Sequence, residues 1–279
     1  MISFGKRMLL FLMLFVLGST LAGALAYIIG NVSSDAIAAV RISAISQDLF
    51  AFVLPAAVVA VLSSRLPAGF LKIRHAPCGI GTVIAVCTLI CSIPLINSIV
   101  MWNESITLPE SIHQYFAAME HNAGHATAMM LGGDSVADLI IGILIVGIMA
   151  GISEELFFRG AMQGLFMSRP MNPHAAIWIT AIIFSAFHMQ FFGFVPRLLL
   201  GAFFGYTVYW TGSLWTAIIA HVANNSMIVT AQWLTTRHII PTDINSFGTD
   251  SPLYISVSLA MTGAGIWLLW KSRRQQSSM

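Results

Sequence analysis

Long apolar runs joined by short polar connections make up most of this chain. A helix needs roughly 20 mainly apolar residues to cross a bilayer. Runs of this kind occur at 8–30, 47–64, 78–101, 136–167, 174–190, 197–211, 213–236 and 253–270. The fourth run is too long for one perpendicular crossing, so we expect it to tilt or to project from the membrane. The pattern predicts an all-α polytopic membrane protein, a bundle of about eight transmembrane helices.

Polar residues are spread unevenly over these predicted helices. Residues 1–135 hold the first three helices and an outer loop, 103–135, which contains acidic side chains but no lysine or arginine. Residues 136–236 hold helices four to seven and a set of polar side chains that has no counterpart in the first half. Residues 237–279 hold the last loop, the eighth helix and a basic tail. We therefore expect an intramembrane functional site within 136–236.

Composition supports the membrane assignment and narrows the partners. Hydrophobic residues make up 57% of the chain and charged residues 9%, with a mean hydropathy of +0.84. An average soluble domain is roughly 25% charged. The net charge of +2 is too small to indicate a nucleic-acid partner. The partner that composition predicts is the lipid bilayer.

Lysine and arginine are distributed unequally between the two sides of this predicted bundle. Cytoplasmic loops of membrane proteins carry an excess of these residues. With the amino terminus inside, the outer side holds only Arg41, Arg197 and Arg237. The inner set is Lys6, Arg7, Arg65, Lys72, Arg74, Arg159, Arg169, Lys271, Arg273 and Arg274. We predict a multi-pass protein of a bacterial plasma membrane with both termini in the cytoplasm.

The first apolar run has a second interpretation. Lys6 and Arg7, followed by an apolar stretch and Ala24-Leu25-Ala26, resemble a cleavable signal peptide. The apolar stretch continues to Gly30, which is longer than the core of a usual signal peptide. We favour an uncleaved membrane anchor, and the intact mass of the protein distinguishes the two.

The fourth run contains a cluster of charges, Glu154, Glu155 and Arg159, in an otherwise apolar segment. A charge at the bilayer centre costs roughly 2.5–3.5 kcal/mol on insertion scales, so such residues mark functional sites by default. Residues four apart share a helix face, so Glu155 can pair with Arg159. Glu154 is rotated by about 100° and has no partner within the helix, which suits a general base. The alternative is a buried ion network that only locks helix packing.

Two further predicted helices carry histidines. The fifth holds Phe184 one turn before His188, and the seventh holds His221 one turn before Asn225. Glu154 and His188 are equally far from the Pro170–Pro173 turn, so an antiparallel hairpin brings both to roughly 20–25 Å from it. By the same rise His221 is shallower, at about 12 Å. These depths are compatible with one shared site.

Small residues in the same region predict close helix packing. A glycine pair at a spacing of four lets two membrane helices approach each other. Three such pairs occur: Gly147 and Gly151, Gly160 and Gly164, and Gly201 and Gly205. They fit a compact bundle of helices four to seven.

In these motifs the chain resembles the CPBP (CAAX prenyl protease and bacteriocin-processing, or Abi) intramembrane proteases. The three motifs occur in the order of that family, each on a predicted membrane helix: Glu154-Glu155-x-x-x-Arg159, Phe184-x-x-x-His188 and His221-x-x-x-Asn225. The resemblance covers about 136–236, which would then be the catalytic core. It implies an intramembrane endopeptidase that acts on membrane-associated protein or peptide substrates.

The resemblance also implies roles for single residues. Glu154 and His188 would activate the attacking water, while His221 and Asn225 would stabilise the oxyanion of the tetrahedral intermediate. Glu155 and Arg159 would support the local architecture. Members of the family have been described as metalloproteases and as glutamate-type proteases. If this chain depends on zinc, the ligands would be Glu154, His188 and His221; we favour the metal-free mechanism.

The same polar cluster permits functions of another class. Intramembrane glutamate and histidine also serve proton relays, so a proton-coupled transporter is one alternative, and a non-catalytic membrane scaffold is another. A transporter would often show two related halves with broken helices, which this sequence lacks. The substrate is not specified, because no lipid-recognition motif accompanies the three motifs.

Overall fold

The computed structural model describes residues 3–77, 79–240 and 246–276 of the chain. The chain is 84% helical, and no strand occurs among these residues, so the predicted all-α class is confirmed. The helices are α1 (Phe4–Val32), α2 (Ala36–Ser63), α3 (Gly79–Cys91), α4 (Ile93–Glu104), α5 (Glu110–Leu131), α6 (Val136–Met167), α7 (Pro173–Phe187), α8 (Phe191–Thr211), α9 (Leu214–Thr236) and α10 (Pro252–Gln276). Residues 277–279 of the predicted basic tail lie outside the described residues.

The predicted count of about eight transmembrane helices is not confirmed. In the described part of the chain, five helices are long and apolar enough to cross a membrane, or six if α3 and α4, which meet at an angle of 50°, form one span. Helices lie at the two remaining predicted positions, but α7 has only 15 residues. Helix α9 has 23 residues, and its length is interrupted by polar side chains.

The predicted outer loop, 103–135, is largely helical. Helix α5 spans 22 residues, and none of them is buried. Arg41 of α2 fixes its carboxyl end, donating from Nε to the Met130 carbonyl at 3.0 Å and from Nη2 to the Leu131 carbonyl at 3.1 Å. The same guanidinium pairs with Asp138 at 2.8 Å. The segment before the three motifs is therefore an ordered helix held against the bundle.

Helices α2 and α6 change from α-helical to π-helical geometry beside the charged motif. The π-helical stretches are Asp48–Val53 in α2, and Ile143–Met149 and Leu156–Met162 in α6. The α-helical turn between the latter two, Ala150–Glu155, carries both glutamates. Single π-helical turns inside α-helices are frequent at functional sites.

Glycines bring α6 into direct contact with α9, as the spacing predicted. A Cβ atom on Gly147 would lie 2.5 Å from Ser226 Oγ, and one on Gly151 would lie 3.2 Å from the Val222 backbone nitrogen. On α8, a Cβ atom on Gly201 would lie 3.2 Å from the Ala181 Cα of α7. These close approaches hold the three motif-bearing helices, α6, α7 and α9, in one bundle.

Candidate active site

The predicted ion pair between Glu155 and Arg159 is present at the centre of the bundle. Arg159 Nη1 donates to Glu155 Oε1 at 2.7 Å, and both side chains are fully buried. Arg159 Nη2 also donates to the Gly201 carbonyl of α8 at 3.2 Å. Its guanidinium carbon lies 4.2 Å from the centre of the Phe184 ring, within the range of a cation–π contact. Arg159 is therefore an interior residue, and its assignment to the cationic inner set was wrong.

Glu155 has a second partner that helical spacing along α6 does not reveal. Its Oε1 lies 2.9 Å from Nδ1 of His221 on α9. The imidazole ring of His221 is 4% exposed and stacks on Phe204 of α8, with the ring centres 4.7 Å apart. A carboxylate oxygen accepts hydrogen bonds, so Nδ1 of His221 carries a hydrogen when Glu155 is ionised. Glu155 thus links the first and third motifs.

Glu154 faces away from this buried pair, as the helical phase predicted. Its Oε2 is 3.8 Å from Nε2 of His221, beyond the length of a hydrogen bond. Its side chain lines a cavity of about 330 Å³ together with His188 of α7 and Asn225 of α9. Glu154 and His188, which the hairpin prediction placed at matching depth, thus line one cavity.

His188 is oriented by its own helix. Its Nδ1 lies 2.9 Å from the Phe184 carbonyl oxygen, one turn earlier. A carbonyl only accepts hydrogen bonds, so Nδ1 carries the hydrogen, and in the neutral ring Nε2 is left as the acceptor. Phe184 before His188 thus supplies both a backbone anchor for the imidazole and a ring against Arg159.

Asn225 lines the same cavity from α9. Its Nδ2 donates to the Val146 carbonyl of α6 at 3.2 Å, and its Oδ1 accepts from Asn224 at 3.3 Å. A side-chain amide nitrogen carries two hydrogens, and this contact with Val146 uses one of them. One N–H of Asn225 therefore has no bonding partner among the described residues.

Comparison with known proteins agrees with this arrangement. Residues 136–227 match the model of the family described as type II CAAX prenyl endopeptidase Rce1-like. The match includes all three motifs. This part of the chain is similar to the CAAX intramembrane protease family. No curated protein and no solved structure gave a significant match.

This similarity supports a peptidase of the CAAX-protease type, an intramembrane endopeptidase in general terms. A protease of that type implies membrane-associated peptide or protein substrates, and the apolar helices together with the family match support an integral membrane protein. The family match ends at residue 227, so it covers α6, α7, α8 and most of α9. It assigns no role to a single residue.

The side chains of this CAAX-protease domain do not form a metal-ligand set. Within 3–77, 79–240 and 246–276, no group of three or more His, Cys, Asp or Glu side chains is arranged to hold a metal ion. The zinc alternative required Glu154, His188 and His221 as ligands. The Nδ1 atoms of the two histidines are directed at Phe184 and Glu155, so only Nε2 of each ring is available as a ligand atom. We derive no step through a metal.

The CAAX-protease cavity has one acidic residue that the motifs did not include. Asp48 of α2 lines it and is 6% exposed. Its Oδ1 accepts a hydrogen bond from Oγ of Ser153, at 2.7 Å. The available signal was a single acidic residue in the apolar run 47–64. That signal was missed because Asp48 has no charged neighbour in its own helix.

A second cavity, of about 660 Å³, lies on the other side of α9. Asn224 lines it, whereas Asn225 lines the first cavity, and Ile228 borders both. Glu120 of α5 and Arg197 of α8 are among its charged lining residues. Helix α5 borders both cavities, because its Thr127 contributes to the first one.

Proposed function

We propose that this protein hydrolyses peptide bonds of membrane-associated proteins or peptides, with the attacking water activated by Glu154 and His188. The observation that carries this proposal is that both side chains line one cavity inside a CAAX-protease-type domain. A water molecule in that cavity has two acceptors within the wall, the Glu154 carboxylate and Nε2 of His188. Both groups are suited to general-base catalysis.

The first chemical step is the attack of water on the scissile carbonyl. The oxygen of water bonds to the carbonyl carbon while one of its protons passes to Glu154 or His188. The π electrons of the carbonyl move onto its oxygen, which gives a tetrahedral intermediate with an oxyanion. A positioned general base contributes about 10²–10⁴-fold to such a step.

His221 and Asn225 would stabilise the oxyanion. The unused amide N–H of Asn225 is one donor. His221 donates through Nε2 only if that nitrogen carries a hydrogen, and its Nδ1 hydrogen is already directed at Glu155. The donating form is therefore the imidazolium, in which both ring nitrogens carry a hydrogen. Removal of one preorganised donor from an oxyanion site costs about 10²–10³-fold in turnover.

The second chemical step breaks the peptide bond. The C–N bond cleaves as the electrons of the oxyanion re-form the carbonyl, and the nitrogen takes up the proton that Glu154 or His188 received from water. The products are a new carboxyl terminus and a new amino terminus, so no oxidant, reductant or further reactant is required. The catalytic type is that of a glutamate-dependent hydrolase.

The test uses purified full-length protein in lipid vesicles. The probe is a fluorogenic peptide with a prenylated carboxyl-terminal CAAX sequence, and a membrane fraction serves as a second source of substrate. We expect Glu154→Gln and His188→Ala each to reduce cleavage at least 10³-fold. Glu110→Gln, on the exposed face of α5, is the matched control and should retain full activity.

Normal turnover by Glu154→Gln would contradict the proposal. Absence of cleavage of every probe by the parent protein, combined with proton-coupled uptake of a solute, would favour the transporter alternative. Fragments in the membrane proteome that depend on Glu154 would support the protease and identify its natural substrate.

A further inference from the structure

Asp48 is a buried carboxylate that the proposed mechanism does not use. It is 6% exposed, and it lines the cavity with Glu154 and His188 although it lies outside the family-matched segment. No lysine or arginine pairs with it among the described residues. A buried acidic side chain without a cation is costly to fold and adds little stability. Its presence in an apolar helix therefore calls for a role in the site.

The hydrogen bond to Ser153 indicates that role. Ser153 is 1% exposed, and it immediately precedes Glu154 in the α-helical turn of α6. Its Oγ lies 2.7 Å from Asp48 Oδ1 and 3.1 Å from the Ala150 carbonyl oxygen. A hydroxyl group has one hydrogen, and the Asp48 oxygen is the acceptor at the shorter distance. Asp48 thus ties α2 to α6 at the residue beside the proposed base.

The backbone around Asp48 is held from the opposite side. Asp48 begins the π-helical stretch of α2, and α1 crosses this stretch at Gly18. A Cβ atom at Gly18 would collide with the Phe50 carbonyl oxygen, so only glycine allows this approach. Helix α1 therefore supports the segment from which Asp48 reaches Ser153. Groups that must position a reacting atom are held by such rigid supports.

We propose that Asp48 is a positioning residue for Glu154 and acts through its hydrogen bond to Ser153. This bond fixes the rotation of α6 about its axis, which keeps Glu154 in the cavity and Glu155 on the buried pair. The inference rests on the proposed function, because it needs Glu154 to be the base. It extends the site into the first half of the chain.

The test compares kcat and KM of four variants on the prenylated peptide, in vesicles. We expect Asp48→Ala and Ser153→Ala each to lower kcat about tenfold, as loss of one buried hydrogen bond does, with KM within about twofold. Because both substitutions remove the same bond, the double variant should be no slower than either single variant. Asp48→Asn keeps an acceptor oxygen and should retain kcat within about threefold.

Ser46→Ala is the matched control, because Ser46 is a buried serine of α2 whose hydroxyl bonds only to its own helix, at the Ile42 carbonyl. It should leave kcat unchanged. Thermal unfolding of each variant shows whether it is folded. If Asp48→Ala does not fold, Asp48→Asn and Ser153→Ala decide the question.

Multiplicative losses in the double variant would overturn the inference. So would an unchanged kcat in Ser153→Ala, a loss confined to KM, or an Asp48→Asn variant as slow as Asp48→Ala. Each of these results leaves the proposed function intact as long as cleavage still depends on Glu154. Cleavage that does not depend on Glu154 contradicts the proposed function itself.

Discussion

Glu154 and Glu155 are neighbours in the chain, but their side chains have opposite surroundings. Glu155 is fully buried between Arg159 and His221, whereas the Glu154 side chain is 17% exposed and has no partner within hydrogen-bond distance among the described residues. Loss of the Glu155 charge leaves a buried guanidinium without its counterion. Breaking a buried pair in this way costs about 3–5 kcal/mol.

The two glutamates should therefore separate stability from activity. We expect Glu155→Gln to lower the free energy of unfolding by about 3–5 kcal/mol. Glu154→Gln should abolish cleavage while its thermal unfolding midpoint stays close to that of the parent protein. Unfolding followed in detergent, alongside cleavage of the prenylated peptide, measures both. Equal destabilisation by the two variants would favour the alternative in which all three charges only lock helix packing.

Whether catalysis depends on a metal is also a question about single residues. The Glu154, His188 and His221 side chains do not form a ligand set among the described residues. We therefore expect purified, active protein to contain well under one metal ion per chain and to keep its turnover after dialysis against a chelator. Elemental analysis of the same sample used for the activity assay checks this. Loss of activity on chelation, restored by zinc, would contradict the glutamate-type mechanism.

Single-residue predictions from the sequence succeeded where the geometry is local. The spacing of four in α6 was enough to predict that Glu155 pairs with Arg159 and that Glu154 has no partner in its own helix. Such predictions work because the angular position of each residue is fixed within one helix. The bond from His221 to Glu155 was not predictable, since it depends on the register between α6 and α9. Asp48 was missed for the same reason: its partner, Ser153, lies on another helix.

At the scale of elements, the contact between α6 and α9 carries the site. Gly147 of α6 lies against Ser226 of α9, one helical turn away from the contact between Gly151 and Val222. A side chain at Gly147 would push α9 away and move His221 and Asn225 out of place. Overpacking of this kind costs about 1–3 kcal/mol.

We expect Gly147→Ala to lower both the unfolding midpoint and kcat. Gly263→Ala on α10 is its control, because a Cβ atom there meets nothing within 4 Å, and alanine is the better helix former. That control should keep full activity. Unfolding and cleavage measured on both variants test the contact, and an unchanged kcat in Gly147→Ala would show that α6 and α9 can separate without harm.

The glycine spacings predicted such approaches correctly, whereas the outer loop was predicted less well. The outer loop, 103–135, is acidic and contains Gly124. Because glycine weakens an isolated helix, the sequence there did not clearly predict a helix. The observed α5 is supported by contacts that are distant in sequence. Arg41 binds its carboxyl end, and Gln190 donates to Glu120 near its middle at 2.8 Å.

For the whole molecule, the all-α class predicted from the sequence is confirmed, whereas the predicted number of about eight crossings is not confirmed. Hydropathy identifies helices that are apolar along their whole length, and five or six helices of the described chain are of this kind. Helices α7 and α9 escape that test for physical reasons. One is short, and the other carries the polar side chains of the site.

Whether the two termini lie on the same side of the membrane distinguishes an even number of crossings from an odd number. An even number of crossings places both termini on one side of the membrane, and an odd number places them on opposite sides. The distribution of lysine and arginine favours a cytoplasmic location for both. If the other six spans all cross the membrane, an even total requires that α7 and α9 either both cross it or both do not. Five spans alone would separate the termini.

Labelling of single cysteines in a cysteine-free background measures this directly. We expect Glu110→Cys on α5 to react with a membrane-impermeant maleimide added to intact cells, and Arg65→Cys to react only after the membrane is opened. Reporter domains fused to each terminus should both be active in the cytoplasm. A carboxyl-terminal reporter active only on the outside would contradict the even count. It would also place the basic residues near that end, Lys271 among them, on the side that lysine and arginine avoid.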